Sequence, residues 1–368
     1  MENELPPGPI VPFEPSPEAA APPKNLAWKE TPAPATPDYT DRRTALIVFG
    51  VFQIILGLLA ALLVPFVVLG AFLSRTAPGG AQRPSAYVSA ILSYVLISAA
   101  LIILGVGSIK MKRWARALTL ITSCYWLFIG ALTTVLLTAV LPVTTRTALR
   151  QAQQNSAGAT PEISTAIMAV IVTVIIAFLA FFMIVVPLAF VIFYARRDVD
   201  LTCRHRDPVE RWTDRTPLPV LAGSVLFLVG AIYFLLVGIT TPIFPFFGRY
   251  LTGISGGLCF IVMAGLDSYL AVAFYRLRNA GWWTAIVVTS LHLISSSLTY
   301  WKADLMQAYS RIGMSVAQIN MLNSNPMFRD HILVWWGSIS AIAFFGYVLW
   351  LKRYFKTPPP QSVEVLAA

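Results

Sequence analysis

The 368-residue chain is 57% hydrophobic and only 12% charged, with a mean hydropathy of +0.70. A soluble domain carries about 25% charged residues, so a purely water-soluble fold is excluded and lipid is the expected solvent. The net charge of +10 does not point to nucleic acid. The basic residues gather at the ends of apolar runs, which is how membrane orientation is encoded, and no basic patch interleaved with aromatics is present.

Residues 1–41 hold eleven of the 26 prolines. Such a segment cannot bury enough apolar area to offset its ordering entropy, so a disordered cytosolic tail is expected. It reads as a spacer, although the PxxP steps of "PPGPIVPFEP" would suit an aromatic groove in a cytosolic partner protein. No basic n-region or apolar h-region opens the chain, and the first apolar run is expected to act as an uncleaved signal.

Eight apolar segments follow, at 44–73, 87–109, 114–140, 163–195, 217–240, 255–275, 282–301 and 333–351. Each reaches the ~20 residues that cross about 30 Å of hydrocarbon as a helix. Only a helix or a closed barrel satisfies its backbone in lipid. The expected fold is therefore all-α, a polytopic membrane protein of eight transmembrane helices. The fourth segment is too long for a perpendicular crossing and must tilt, kink near Pro187 or project from the membrane. Pro65 is positioned to bend the first.

With eight spans, both tails and the 2–3, 4–5 and 6–7 loops share one side. They hold 19 of the 27 Lys and Arg, so the positive-inside rule places both termini in the cytoplasm, in a bacterial inner membrane. Trp114, Trp282, Trp283, Trp301, Trp335 and Trp336 recur at the expected interfaces as aromatic anchors.

The spans read as two copies of a four-helix unit. "GVFQIILGLLAALL" in span 1 matches "GSVLFLVGAIYFLL" in span 5, with Gly50 and Gly57 against Gly223 and Gly230. Span 2 ends "IKMKRWARA" and span 6 "YRLRNAGWWTA". "TSCY" in span 3 matches "TSLH" in span 7, and spans 4 and 8 both exit on paired basic residues. Four spans per unit make the copies parallel, related by an axis along the membrane normal. The organisation expected is a tail at 1–41, a first membrane unit at 44–197, a charged connector at 198–216, a second unit at 217–353 and a cytosolic tail at 354–368.

Two loops carry local expectations. The 3–4 loop, "LPVTTRTALRQAQQNSAGATPEIS", is polar and expected to be partly disordered. In the 7–8 loop, Leu305, Tyr309, Ile312, Val316 and Ile319 recur at steps of four and three, the mark of an amphipathic helix lying on the membrane or capping the bundle.

The candidate chemistry lies in spans 6 and 7. Asp267 and His292 each fall about 13 Å from the cytosolic interface, near the bilayer midplane. The two spans are joined by a short loop, so the pair could meet. Thr289, Ser296 and Thr299 align with His292 in one polar stripe. An ionisable residue at that depth is costly and marks a functional candidate, such as a proton relay or a substrate-coupling carboxylate. The structural alternative is a neutral Asp holding two helices in register.

Cys203, His205 and Asp207 form a C-x-H-x-D run, but a structural zinc site draws on four ligands in spaced pairs, and no second pair follows. Residues 196–219, with eleven charges in 24 positions, read instead as a solvated ion-pair network. Pro217 and Pro219 suit the first turn of span 5, with Thr216 as its cap. The three cysteines form no paired framework. No HExxH, GxSxG, Walker A or dinucleotide-binding glycine motif occurs. No catalytic residue, metal or cofactor is assigned, and enzyme activity is not indicated. The leading functional reading is transport-like movement of a small solute or proton at the interface between repeats. The alternative is a non-enzymatic scaffold or sensor that uses its tail and connector.

The connector carries one resemblance. Thr202, Cys203, Arg206, Asp207, Pro208, Arg211, Trp212, Thr213 and Asp214 fit a run T-C-x-x-R-D-P-x-x-R-W-T-D followed by Pro-Leu-Pro. It resembles uncharacterised multi-pass membrane proteins of soil bacteria, acidobacteria above all. The resemblance implies no assigned activity and transfers no functional residue.

Overall fold

The computed structural model describes residues 39–76, 84–155, 161–312, 314, 316–324 and 332–355; the proline-rich segment at 1–38 and the tail from 356 lie outside them. In chain order the elements are α1 (Arg43–Thr76), α2 (Pro84–Ile109), α3 (Arg113–Asn155) and α4 (Pro161–Ala180), followed by a π-turn at Phe181–Val185 and α5 (Val186–Tyr194). The connector holds α6 (Arg197–Arg206) and a 3-10 turn, Trp212–Asp214. Then come α7 (Leu218–Thr240), a hairpin of β1 (Ile243–Phe246) and β2 (Arg249–Thr252), α8 (Ile254–Tyr275), α9 (Asn279–Lys302), α10 (Leu305–Arg311), α11 (Val316–Ser324), α12 (Ile332–Trp350) and a closing 3-10 turn, Leu351–Tyr354.

Among the described residues, seven helices are long and apolar enough to cross a membrane. None has more than 39% of its most apolar window buried within the protein, so most of their apolar side chains need lipid around them. These spans make the chain an all-α polytopic membrane protein. The segment read as the seventh span forms the 24-residue helix α9, but it is more polar and is not one of the seven.

Two cores are built, one in each half. The first joins Leu46 and Leu56 of α1 to Leu120, Phe190, Tyr194, Val199 and Cys203. The second joins Val220 and Phe227 of α7 to Leu270, Phe274, Trp282, Val348 and Leu351. A small cluster of Ala117, Ile121 and Leu221 links α3 to α7. Each half holds one especially close helix pair, α1 with α2 and α7 with α8. Glycines allow it. A Cβ at Gly50 would lie 2.8 Å from the Gly105 carbonyl oxygen, and one at Gly238 would lie 2.8 Å from the Phe260 Cβ.

The turns after α2 and α8 share one geometry. Lys112 N donates to Gly107 O and Met111 N to Ser108 O; Arg278 N donates to Ala273 O and Leu277 N to Phe274 O, all at 2.9 Å. This is the Schellman pattern. Met111 and Leu277 take the left-handed position, at φ 51° and 53°. Glycine usually fills that position, because a Cβ costs about 1–2 kcal/mol there. Both side chains pack against their half's core, which offsets the strain. The flanking helices cross at a Gly–Ala pair in each half: a Cβ on Gly107 would lie 2.5 Å from the Ala115 Cβ, and one on Gly281 2.5 Å from the Ala273 Cβ.

Several expectations are corrected. In the 3–4 loop α3 runs helical as far as Asn155, and residues 156–160 lie outside the described ones. The long fourth segment is broken as expected near Pro187, but by the π-turn that precedes it. Proline has no N–H, so the Met183 carbonyl loses its α-helical donor, and the π-turn absorbs the misfit. Gly130 of α3 packs against that carbonyl, with no room for a side chain. Pro65 does not interrupt α1. The amphipathic helix at 305–319 is two helices, α10 and α11, and Val316 is exposed rather than on a buried stripe. Thr216 does not cap α7: its hydroxyl donates to Tyr275 O at 2.9 Å, and Pro217 holds the N-cap position. The hairpin was not anticipated. Its turn at Phe247 and Gly248 has positive φ at both residues, 39° and 91°, the requirement of a type I′ two-residue hairpin.

The connector is the expected ion-pair network: Asp207 is its one buried charged residue and the others reach solvent, while several small and apolar side chains dock. Val199, Thr202, Cys203, Asp207, Thr213 and Thr216 are buried. Arg211 donates to both Asp207 oxygens, at 2.6 and 3.0 Å, while Lys112 Nζ and Arg113 N approach at 3.4 Å. Asp214 pairs with Arg113 at 3.3 Å, Asp200 with Arg116 at 2.7 Å, and Asp198 with Arg42 at 3.5 Å. The connector thus ties the α2–α3 turn to the start of α1. The Arg211 hydrogen bonds, with help from Arg113 N and Lys112, hold the Asp207 carboxyl down at about 2 against a smaller opposing effect of burial. Burial pushes the Cys203 thiol up to about 12, which leaves it unreactive.

Candidate functional site

Asp267 lies on the buried face of α8, the stripe of Phe260, Ala264, Asp267, Ala271 and Phe274. That face packs on α7. Ser224 Oγ donates to Ala271 O at 2.7 Å, and a Cβ on Gly230 would lie 2.6 Å from Asp267 Oδ2. The glycine therefore makes the space that the carboxylate occupies. Asp267 is 8% exposed, and among the described residues its carboxylate has no hydrogen-bond or ion-pair partner. It faces α7 rather than α9, and no contact joins it to His292.

His292 lines a different space. A cavity of about 650 Å³ opens where α7, α8 and α9 end, beneath the hairpin and α10. This is the end remote from the connector, which meets α8 at Tyr275, whose hydroxyl donates to Trp212 O at 3.0 Å. His292 Nε2 and Ser296 Oγ, both lining the cavity, are 3.5 Å apart. The innermost lining rings form one cluster. Phe244 lies 5.1 Å from Phe260, Phe234 lies 6.0 Å from Phe260, and His292 lies 6.2 Å from both Phe234 and Phe244. Asp267 is seven residues beyond Phe260 on α8, about 10 Å along the axis, on the far side of this aromatic floor.

The polar stripe of α9 divides its work. His292 and Ser296 face the cavity. Thr299, fully buried, accepts from Gly248 N at 3.0 Å. Ser295, not picked out from the sequence, accepts from Phe247 N and donates to Pro245 O, each at 3.0 Å. Thr299 and Ser295 thus clamp the hairpin turn over the cavity. Thr289 is half-buried and stands outside the lining. The missed signal was the offset between stripes: Ser295 and Thr299 are one helical face, His292 and Ser296 the next.

The cavity wall holds four tyrosines, Tyr233, Tyr250, Tyr300 and Tyr309. Tyr250 on β2 is 8% exposed. Burial raises its phenol above the ordinary range, and Tyr300, Tyr309 and Asp304 add to that. Asp304 stands at the rim as the N-cap of α10, with Oδ1 accepting from Met306 N at 2.8 Å.

In the C-x-H-x-D run, Asp207 commits both oxygens to Arg211, Lys112 and Arg113, and Cys203 is enclosed in the first core. Among the described residues no group of three His, Cys, Asp or Glu is placed to hold a metal ion. Comparison with known protein families, with curated proteins and with solved structures finds no match for this chain.

Proposed function

We propose that this chain is an eight-span membrane protein, a duplicated four-helix unit with both termini cytoplasmic, that moves a small solute or a proton between the cavity and Asp267. One observation carries the functional reading. Along the α7–α8 seam lie, in order, a solute-sized cavity, an aromatic floor and an unpartnered buried carboxylate. The volume falls within the 300–1,000 Å³ usual for ligand sites. A carboxylate inside a membrane bundle with no countercharge is a natural proton-binding group.

Support for the duplication is geometric. Met111 and Leu277, Gly107 and Ala273, and Ala115 and Gly281 are separated by one common interval, and each pair plays the same part in its turn. Gly50 and Gly57 serve α1–α2 as Gly223 and Gly230 serve α7–α8. Counting α9 as a span, the seventh of eight, keeps the lysine- and arginine-rich connector on the same side as both tails, which supports the cytoplasmic orientation.

Proteoliposomes loaded with a pH-sensitive dye test the proposal. Gradients of amino acids, sugars, amines and carboxylates are imposed in turn. At least one should drive proton movement, and Asp267→Asn should abolish it while the variant still inserts and folds. Flux unchanged in that variant, or no proton movement with any solute, would overturn the reading. The scaffold alternative is weakened at the connector, where Asp198, Asp200, Asp207 and Asp214 are taken up by internal ion pairs. It then rests on residues 1–41, and an unaltered set of crosslinked partners after their removal would sink it.

A further inference from the structure

The cavity's lining narrows what it can hold. We propose that it takes a small organic cation, a protonated or quaternary amine; this rests on the solute-binding reading above. The chain as a whole is basic, with 27 Lys and Arg against 17 Asp and Glu. Yet among the described residues that line the cavity there is no lysine or arginine, and the one carboxylate is Asp304. Among the described lining residues an anion would find no lysine or arginine as countercharge.

The walls supply what a cation needs. Tyr250 and Tyr300 have ring centroids 6.3 Å apart at an interplanar angle of 61°. They pack edge-to-face, so the two rings are differently oriented, and Tyr233 and Tyr309 line the same cavity. Aromatic faces set at angles around one space are the arrangement that recognises quaternary ammonium groups, because each ring quadrupole turns its negative face inward. Asp304 spends Oδ1 on its cap bond, which leaves Oδ2 as the charge partner at the rim. The protein uses the same attraction at its opposite end, where Lys352 Nζ sits 4.9 Å from the Trp282 ring and Arg353 3.8 Å from that of Trp350.

The rival solutes are excluded on size and charge. A metal ion needs several oxygen ligands close together, and the lining offers one carboxylate. A lipid tail would fit apolar walls but would leave the tyrosine hydroxyls, His292 and Ser296 facing hydrocarbon, where unmet polar groups are costly.

The test uses the full chain in lipid nanodiscs and four probes: choline, tetraethylammonium, acetate and 3,3-dimethyl-1-butanol, the uncharged isostere of choline. Calorimetric titration should show choline binding at least tenfold more tightly than the isostere, with no acetate binding. Asp304→Asn keeps the helix cap, since Asn caps as well as Asp, and should weaken choline while leaving the isostere unchanged. Tyr300→Leu should weaken choline about three- to thirtyfold, the worth of one cation–π contact, and Tyr300→Phe should restore it. Equal binding of choline and its isostere, or preferential binding of acetate, would overturn the cation assignment and leave the cavity as a ligand site of another class. Absence of saturable binding by all four probes would overturn the cavity reading along with it.

Discussion

The Gly281–Ala273 contact offers a stability test with a calculable outcome. Gly281 is the third residue of α9, and Ala273 is two residues from the end of α8. A methyl on Gly281 would sit 2.5 Å from the Ala273 Cβ, and its other neighbours would be at an ordinary 3.5 Å. Gly281→Ala alone should therefore overpack one contact, at about 1–3 kcal/mol, offset by up to about 1 kcal/mol of improved helix propensity. Ala273→Gly alone removes a buried methyl and lowers propensity by about 1 kcal/mol. The double variant recreates the arrangement of Gly107 and Ala115. It should return to within about 0.5 kcal/mol of the parent, giving a coupling of about 1–3 kcal/mol. Denaturant titration in detergent, followed by tryptophan fluorescence, measures all four corners of the cycle. A double variant as unstable as the sum of the singles would refute both the contact and the correspondence between the two turns.

Three further outcomes are expected. Because the folded Asp207 carboxyl sits near 2, below the unfolded value of about 3.9, its contribution is complete above about pH 5 and is lost as pH falls toward 2. The unscreened shift would be worth about 2.5 kcal/mol, but its cationic partners reach solvent, so Asp207→Asn should cost about 1 kcal/mol at pH 7 and flatten the acid limb of a stability–pH profile. Gly130→Ala forces a methyl into the Met183 carbonyl, a backbone atom that cannot rotate away; a loss of about 3 kcal/mol, the upper end for overpacking, is expected in the same denaturant assay. Ser295→Ala should strip the Phe247 N–H of its partner, costing about 1–2 kcal/mol locally, read by hydrogen exchange as faster labelling at 243–252 with little change in the first core.

The spans were legible because a bilayer demands long apolar helices, and composition alone reports that. α7, α8 and α9 start and end within about three residues of the expected positions. What composition does not report is helix rotation. Asp267 and His292 are expected at matching depth on consecutive helices, yet they lie on opposite sides of the aromatic floor and turn to different neighbours: the small side chains of α7 draw in the α8 face that bears Asp267, while His292 faces the loop-covered end. The hairpin escaped because its strands have four residues each and Pro245 reads as a breaker. The connector's ion-pair network was legible in its charge run, but its partners outside the run were not. Those partners, Arg42, Lys112, Arg113 and Arg116, are far off in sequence and had been taken as orientation signals alone. The helical course of α3 to Asn155 was hidden by the proline and threonines after Leu141, which a continuous helix nevertheless accommodates.

The polarity of α9 bears on how the protein reaches the membrane. Ser295 and Thr299 are committed to a hairpin and His292 and Ser296 to a cavity, so its own apolarity gives it a weak claim on the bilayer during synthesis. A three-residue turn, Arg276–Arg278, joins it to α8. With α9 a span as proposed above, the two helices would enter lipid as one antiparallel unit, α8 carrying α9 in. The hairpin that α9 grips is made before α9 emerges from the ribosome, and waits for it. A segment whose side chains are chosen for its neighbours can afford to be a poor membrane helix only because those neighbours arrive first.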